Sequence, residues 1–98
     1  MKKSSYGILF TKEAKRSFEK LDPSIAKIIG KAIESLAVNP AKGKPLAYDL
    51  AGLRSLRTFD YRIIYRIKGK ELLIIVIALG HRKEIYKKLK ELLFDLSS

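Results

Sequence analysis

Eight consecutive apolar residues, Leu72 to Leu79, constrain this chain more than any other stretch. The run is far shorter than the roughly 20 apolar residues a membrane span requires. It is rich in β-branched residues and sits between the turn signal Lys68-Gly69-Lys70-Glu71 and Gly80. A strand apolar at every position is covered on both faces, so this one is predicted to lie centrally in a sheet. Upstream, Leu53 to Thr58 and Tyr61 to Ile67 alternate with a period of two around the tight turn Phe59-Asp60, which gives a three-stranded antiparallel meander.

The other half of the chain has a helical period. Tyr6, Ile8 and Phe10 alternate as a short first strand, with Thr11 as N-cap of the helix that follows. Ala14, Phe18 and Leu21 then recur at helical spacing, opposite Lys12, Lys15, Arg16 and Lys20. Asp22-Pro23 restarts the chain as cap and first helical residue. Ile25, Ile28, Ile29, Ala32, Ile33 and Leu36 then make one apolar stripe that ends near Asn39-Pro40. Residues 40–52, with two prolines and two glycines, form a loop that exposes Lys42 and Lys44. From Lys83 the helical period returns, with a stripe of Ile85, Leu89, Leu92 and Leu96 flanked by Tyr86 and Leu93. The order β-α-α-β-β-β-α defines an α+β fold, one domain over residues 1–98, with an N-terminal helical hairpin packed on a small antiparallel sheet. The hairpin should cover one sheet face and leave the other for function. The C-terminal helix either completes the core or detaches in part.

Charge narrows the function. Twenty-one basic against 10 acidic residues give a net +11, well beyond what solubility asks. The excess points to a polyanion: nucleic acid, an acidic protein or a membrane surface. Arginines on strands, not on one amphipathic helix, favour nucleic acid. The competing reading is a solvated basic surface. With no cysteine there is no disulfide, thiol nucleophile or thiolate metal site. A single histidine, His81, has no partner at ligand spacing, so neither a metal nor a cofactor is expected. Met1-Lys2-Lys3-Ser4-Ser5 lacks the apolar segment of a signal peptide, and a soluble, cytoplasmic protein is expected.

The segment Leu53-Arg54-Ser55-Leu56-Arg57-Thr58-Phe59-Asp60-Tyr61-Arg62-Ile63-Ile64-Tyr65, followed by Leu79-Gly80-His81-Arg82-Lys83-Glu84-Ile85-Tyr86, resembles the RelE branch of the RelE/ParE toxin superfamily. Phe59 to Tyr65 follows that family's GDYRVIY motif with Phe in place of Gly. The resemblance covers essentially the whole chain and implies a RelE-like, microbial-RNase-like fold. It also implies a type II toxin that cuts mRNA on the ribosome without a metal. In that reaction the 2′-OH attacks the adjacent phosphate and leaves a 2′,3′-cyclic phosphate and a free 5′-OH. A cognate acidic, RelB-like antitoxin would neutralise it in a hetero-oligomer.

Such chemistry needs cations on the non-bridging oxygens and proton transfer at the 2′ and 5′ oxygens. The resemblance assigns phosphate binding to Arg62 and transition-state stabilisation to Arg82, the two converging on one phosphate. It gives Tyr86 a base or the nucleophile to hold. The competing readings are an exposed strand arginine paired with Asp60 or Glu71 for Arg62, and a helix anchor tucked over the sheet for Tyr86. His81 is either an acid or base beside Arg82 or a strand-end residue fixed by a backbone hydrogen bond. Lys42, Lys44, Arg54 and Arg57 are further RNA-binding candidates. Glu84 reads as a helix-start residue favoured by the dipole. Tyr61 and Tyr65 alternate onto the face opposite Arg62 and read as core or interface.

Family members often carry basic residues where this chain has Leu53 and Ser55. Two alternatives therefore stand beside the nuclease. One is a ParE-like inhibitor of DNA gyrase with no nuclease site. The other is a decayed toxin that only binds its antitoxin or RNA.

Overall fold

The structure is a computed structural model that describes residues 5–97, with side chains through Leu93. The reading of Met1-Lys2-Lys3-Ser4-Ser5 as no signal peptide rests almost wholly on residues outside that range, and the side chain of Leu96 also lies outside what is described. Five strands form one sheet in the order β1-β5-β4-β3-β2. They are β1 (Gly7–Phe10), β2 (Lys44–Pro45), β3 (Arg54–Thr58), β4 (Tyr61–Lys68) and β5 (Leu73–His81). The helices are α1 (Lys12–Glu19), α2 (Pro23–Val38) and α3 (Ile85–Ser97).

The expected meander is β3-β4-β5, antiparallel throughout. The sheet as a whole is mixed, because β1 pairs with β5 in parallel and forms an edge. Reaching β5's far side from β1 takes the helical hairpin and the rest of the sheet, and no local pattern announces that return. The loop at 40–52 also holds more order than expected. It contains 3-10 turns at Pro40–Lys42 and Tyr48–Leu50, and β2 pairs Lys44 with Ser55. Leu72 is not the first residue of β5. It takes a left-handed φ of 53° and closes the turn.

Helix starts follow the sequence. Thr11 Oγ1 accepts the Ala14 N–H and donates to the Ile77 carbonyl, so one hydroxyl caps α1 and ties it to β5. Asp22 occupies the α2 cap position without a side-chain bond, and Pro23 follows at the first turn.

Both sheet faces are covered. Leu56, Ile63, Tyr65, Ile74, Val76 and Leu79 meet Ala14, Ile29, Ile33 and Leu36 of α1 and α2. On the other face Ile64 and Ala78 meet Ile85 and Leu89 of α3. A register shift between Ile64 and Tyr65 sets this division, because Ile64 pairs with Ala78 and Tyr65 with Val76. Ile77 is the extra residue, and its insertion turns both Ile77 and Ala78 toward α3. Truncating a fully buried α3 contact such as Leu89→Ala should cost about 2–5 kcal/mol. In this structure the helix packs onto the core, and it narrows the open part of its face to a groove beside β2 and β3. No helix among the described residues is long and apolar enough to cross a membrane.

Candidate functional site

The groove follows from strand register. Residues paired across neighbouring strands share a face, so Lys44, Ser55, Ile64 and Ala78 form one row. The adjacent row is Arg57, Arg62 and Gly80. Two arginines therefore stand directly opposite each other, and the third member of their row has no side chain. Like charges in that relation are mutually destabilising. A cavity of about 480 Å³ opens above them, lined by Lys42 to Leu46, Ser55 to Arg57, Arg62 and Tyr86. Four of its lining residues are cationic and none is acidic.

Arg62 is only partly exposed, and its Nε is buried without a hydrogen-bond partner among the described residues. A buried charged donor left in that state is unfavourable, and an incoming oxyanion would satisfy it. Tyr86, on the first turn of α3, reaches across the groove and donates from its hydroxyl to Ser55 Oγ at 3.4 Å. That bond is long and easily exchanged. Ser55 itself is 6% exposed, so the serine serves as a seat for Tyr86.

The β2 side is held from below. Tyr65, fully buried, accepts the Gly43 N–H at 2.9 Å and donates to the Pro40 carbonyl at 2.6 Å. A Cβ at Gly43 would stand 2.8 Å from Tyr65 Oη and 2.9 Å from the Ser55 carbonyl, so only glycine fits this close approach. Arg54 grips the same segment, with Nε donating to the Gly43 carbonyl and Nη2 to that of Ala41.

The candidate residues thus separate. Lys42, Lys44, Arg57, Arg62 and Tyr86 are brought together in the groove. Lys42 also reaches Ser35 Oγ at 3.2 Å. Arg54 points to the opposite face, pairs in register with Tyr65, and is a clamp on the loop. His81 pairs with Tyr61, whose ring it meets edge-on at 5.8 Å, on the face away from Arg62. Its Nδ1 accepts the Lys83 N–H, which is the backbone-fixed arrangement anticipated as one of its two readings. Of Arg62 and Arg82, expected to converge on one phosphate, only Arg62 lines the groove. Arg82 is half exposed, lies outside the groove lining, and has Nε 3.9 Å from Asp60 Oδ1. The cation beside Arg62 is Arg57. Gly43, Tyr65, Ser55 and Gly80 build the groove without having been singled out for it. Only the Gly-X-Pro spacing at the loop and strict alternation along the strands hinted at them.

Fold and groove together define a small α+β protein with a cationic cleft on one face of a mixed sheet. The chain belongs to the RelE/ParE superfamily of type II toxin–antitoxin toxins. The family described as "ParE toxin of type II toxin-antitoxin system, parDE" matches residues 8–86. Toxin RelG of Mycobacterium tuberculosis is 36% identical over 85 residues, covering 85% of this chain and 98% of the relative. Toxin RelE of the same organism is 33% identical over 84 residues, covering 84% and 87% respectively. Among solved structures, the toxin–antitoxin complex RelBE2 from M. tuberculosis superimposes with a TM-score of 0.74 at 33% identity, over 79% of this chain and 98% of that one. The isolated E. coli RelE toxin gives a TM-score of 0.69 at 18% identity, over 91% and 99%, and shares the fold.

Proposed function

We propose that this chain is a ribosome-dependent mRNA endonuclease that acts by 2′-OH attack on the adjacent phosphate. The observation that carries the reading is the Arg57–Arg62 pair, set face to face in an acid-free groove with the Arg62 Nε unpartnered. Two guanidiniums present planar forks that cannot lose their protons, which suits the non-bridging oxygens of one phosphodiester. As the 2′-oxygen bonds to phosphorus, negative charge grows on those oxygens, and cations already in place stabilise it. The 2′-OH gives up its proton and the departing 5′-oxygen takes one. Tyr86, poised over Ser55, orients the ribose or stacks its base. Lys44 and Lys42 follow the RNA backbone along the β2 side. Arg82 joins only by leaving Asp60, and an exposed pair at 3.9 Å holds it by no more than about 1 kcal/mol.

The partner in this reading is an acidic antitoxin whose charge answers the +11 of the chain and covers the groove. Relatives of this fold occur in toxin–antitoxin complexes, RelBE2 among them. A ribosomal target would place the protein in the cytoplasm.

A second reading, a ParE-like gyrase inhibitor, is favoured by Leu53 and Ser55 in place of basic residues, by His81 on the face away from Arg62, and by Arg82 lying outside the groove lining. One experiment separates the two. The chain is induced in cells and the 5′ ends of translated mRNA are mapped beside a DNA-damage reporter. The nuclease produces cuts within the ribosomal A site that disappear with Arg62→Ala. Intact mRNA together with DNA damage assigns the chain to the gyrase class instead.

A further inference from the structure

At the end of the arginine hairpin stands a residue that the groove does not account for. Phe59 opens the two-residue turn between β3 and β4 with a φ of 64°. That left-handed conformation is disfavoured for any side chain with a Cβ and is ordinarily given to glycine. Phe59 is also 65% exposed, so its ring returns none of that strain as core packing. An aromatic residue that is both strained and solvated is poorly explained by stability, and such residues gather at functional sites.

Its surroundings indicate what it would meet. The turn lies two residues past Arg57, about 7 Å along the strand at ~3.3 Å per residue. On its other side, the Asp60 carbonyl accepts the Arg82 N–H at 2.7 Å. Arg57, Arg62 and Arg82 are thus all carried within two rungs of this turn. The other exposed large apolar residues among those described lie elsewhere: Leu9 and Phe10 on β1, Ile28 and Val38 on α2, Tyr48 and Leu72 on other loops. An anchor for a protein partner works within an apolar patch that excludes water, and no other exposed large apolar residue among those described shares the Phe59 turn. A solvated ring on a turn between arginine-bearing strands fits a nucleotide, with phosphate on the cations and base on the ring.

We propose that Phe59 is a base-stacking residue of this site, holding the base of the nucleotide next to the phosphate bound by Arg57 and Arg62. This rests on the RNA reading of the groove. Because every base has a stacking face, the contribution is tolerant of sequence and insensitive to salt, unlike that of the arginines.

The test uses the full chain and two fluorescein-labelled probes, a short single-stranded oligoadenylate and an abasic strand of the same length, read by anisotropy. Phe59→Gly should bind the adenylate strand about tenfold more weakly, with no change on the abasic strand. Phe59→Trp should restore binding. Because glycine relieves the strained φ, the Phe59→Gly protein should melt no earlier than the parent, so misfolding cannot mimic the result. If Phe59→Gly binds the adenylate strand like the parent while Arg62→Ala weakens both probes, the stacking role falls and the groove reading stands. If Arg62→Ala weakens neither probe, the RNA reading itself fails and takes the proposal with it. If Phe59→Gly leaves RNA binding intact but weakens capture by an acidic antitoxin, Phe59 is a protein contact and the proposal is overturned.

Discussion

Replacing Tyr65 by Phe removes one oxygen atom, and the structure indicates how much depends on it. The ring is fully buried between β4 and the helical hairpin, and Phe keeps that packing. What disappears is the acceptor for the Gly43 N–H and the donor to the Pro40 carbonyl. Pro40 is half exposed, so water can replace the bond to its carbonyl at little cost. Gly43 is buried, and its N–H would be left unpaired, a loss of about 1–3 kcal/mol. A central value of about 2 kcal/mol corresponds to a Tm drop of roughly 8–16 °C for a domain of this size. Circular dichroism melts measure the drop, and hydrogen exchange at the Gly43 amide locates it. Because Arg54 also holds the carbonyls of Gly43 and Ala41, adding Arg54→Met to Tyr65→Phe should release residues 41–45 by more than the two separate effects combined. A Tyr65→Phe protein that melts within about 2 °C of the parent, with the Gly43 amide still protected, would show that this hydroxyl does not hold the loop.

Two further outcomes are expected. The Lys88 Nζ donates to the Glu13 carboxylate at 2.7 Å, and this hydrogen bond, opposed by partial burial, holds the Glu13 carboxyl below its ordinary value of 4.5. A lowered folded-state pKa stabilises fully above the unfolded value and is lost as pH falls through the folded one. Glu13→Gln should therefore reduce stability near neutral pH and flatten its decline below about pH 4.5, as followed by urea midpoints across pH; an unchanged acid limb would exclude this clamp between α1 and α3. Arg57→Ala removes a like-charge pair across the β3–β4 ladder and should raise stability by about 0.2–1 kcal/mol at low salt. The gain should shrink as salt screens the pair, while RNA affinity and its salt dependence both fall. A lower Tm at low salt would contradict the electrostatic reading of the row.

Much of this fold is written in residue spacing. The stripe from Ile25 to Leu36 and the unbroken apolar run of β5 report what covers them, and the helix and central strand appear where those periods place them. Alternation also held more than was used. Arg54 and Arg57 are three residues apart and so face opposite sides of β3. Arg62 pairs with Gly80, which puts His81 and its partner Tyr61 on the other face. What spacing cannot convey is a relation made only at long range. The parallel seat of β1 against β5 is one, and the inserted Ile77 is another, because its signature inside a continuous apolar run is no different from its neighbours. The pairing of Arg82 with Asp60 is likewise a matter of where a turn ends, since the side chains meet across the β4–β5 ladder.

Leu53 and Ser55, the two departures from the resemblance, become intelligible once α3 is in place. Leu53 packs with Leu46 and Leu50 against the cluster of Ile64, Ala78, Ile85 and Leu89, where a charged head would have to be desolvated or would push the helix away. Ser55 is buried on the floor of the groove, at the seat of the Tyr86 hydroxyl. In this chain those two positions dock the C-terminal helix, and the helix in turn brings Tyr86 to the groove. The positive charge is supplied one row along by Arg57 opposite Arg62, and within the same row by Lys44 across from Ser55. If that redistribution is correct, Arg57 carries the role that the resemblance gives to Arg82. Arg57→Ala should then abolish A-site cutting as completely as Arg62→Ala, whereas Arg82→Ala should leave most of it. Cutting that depends on Arg82 and not on Arg57 would place the reacting phosphate at the Asp60 turn, outside the groove.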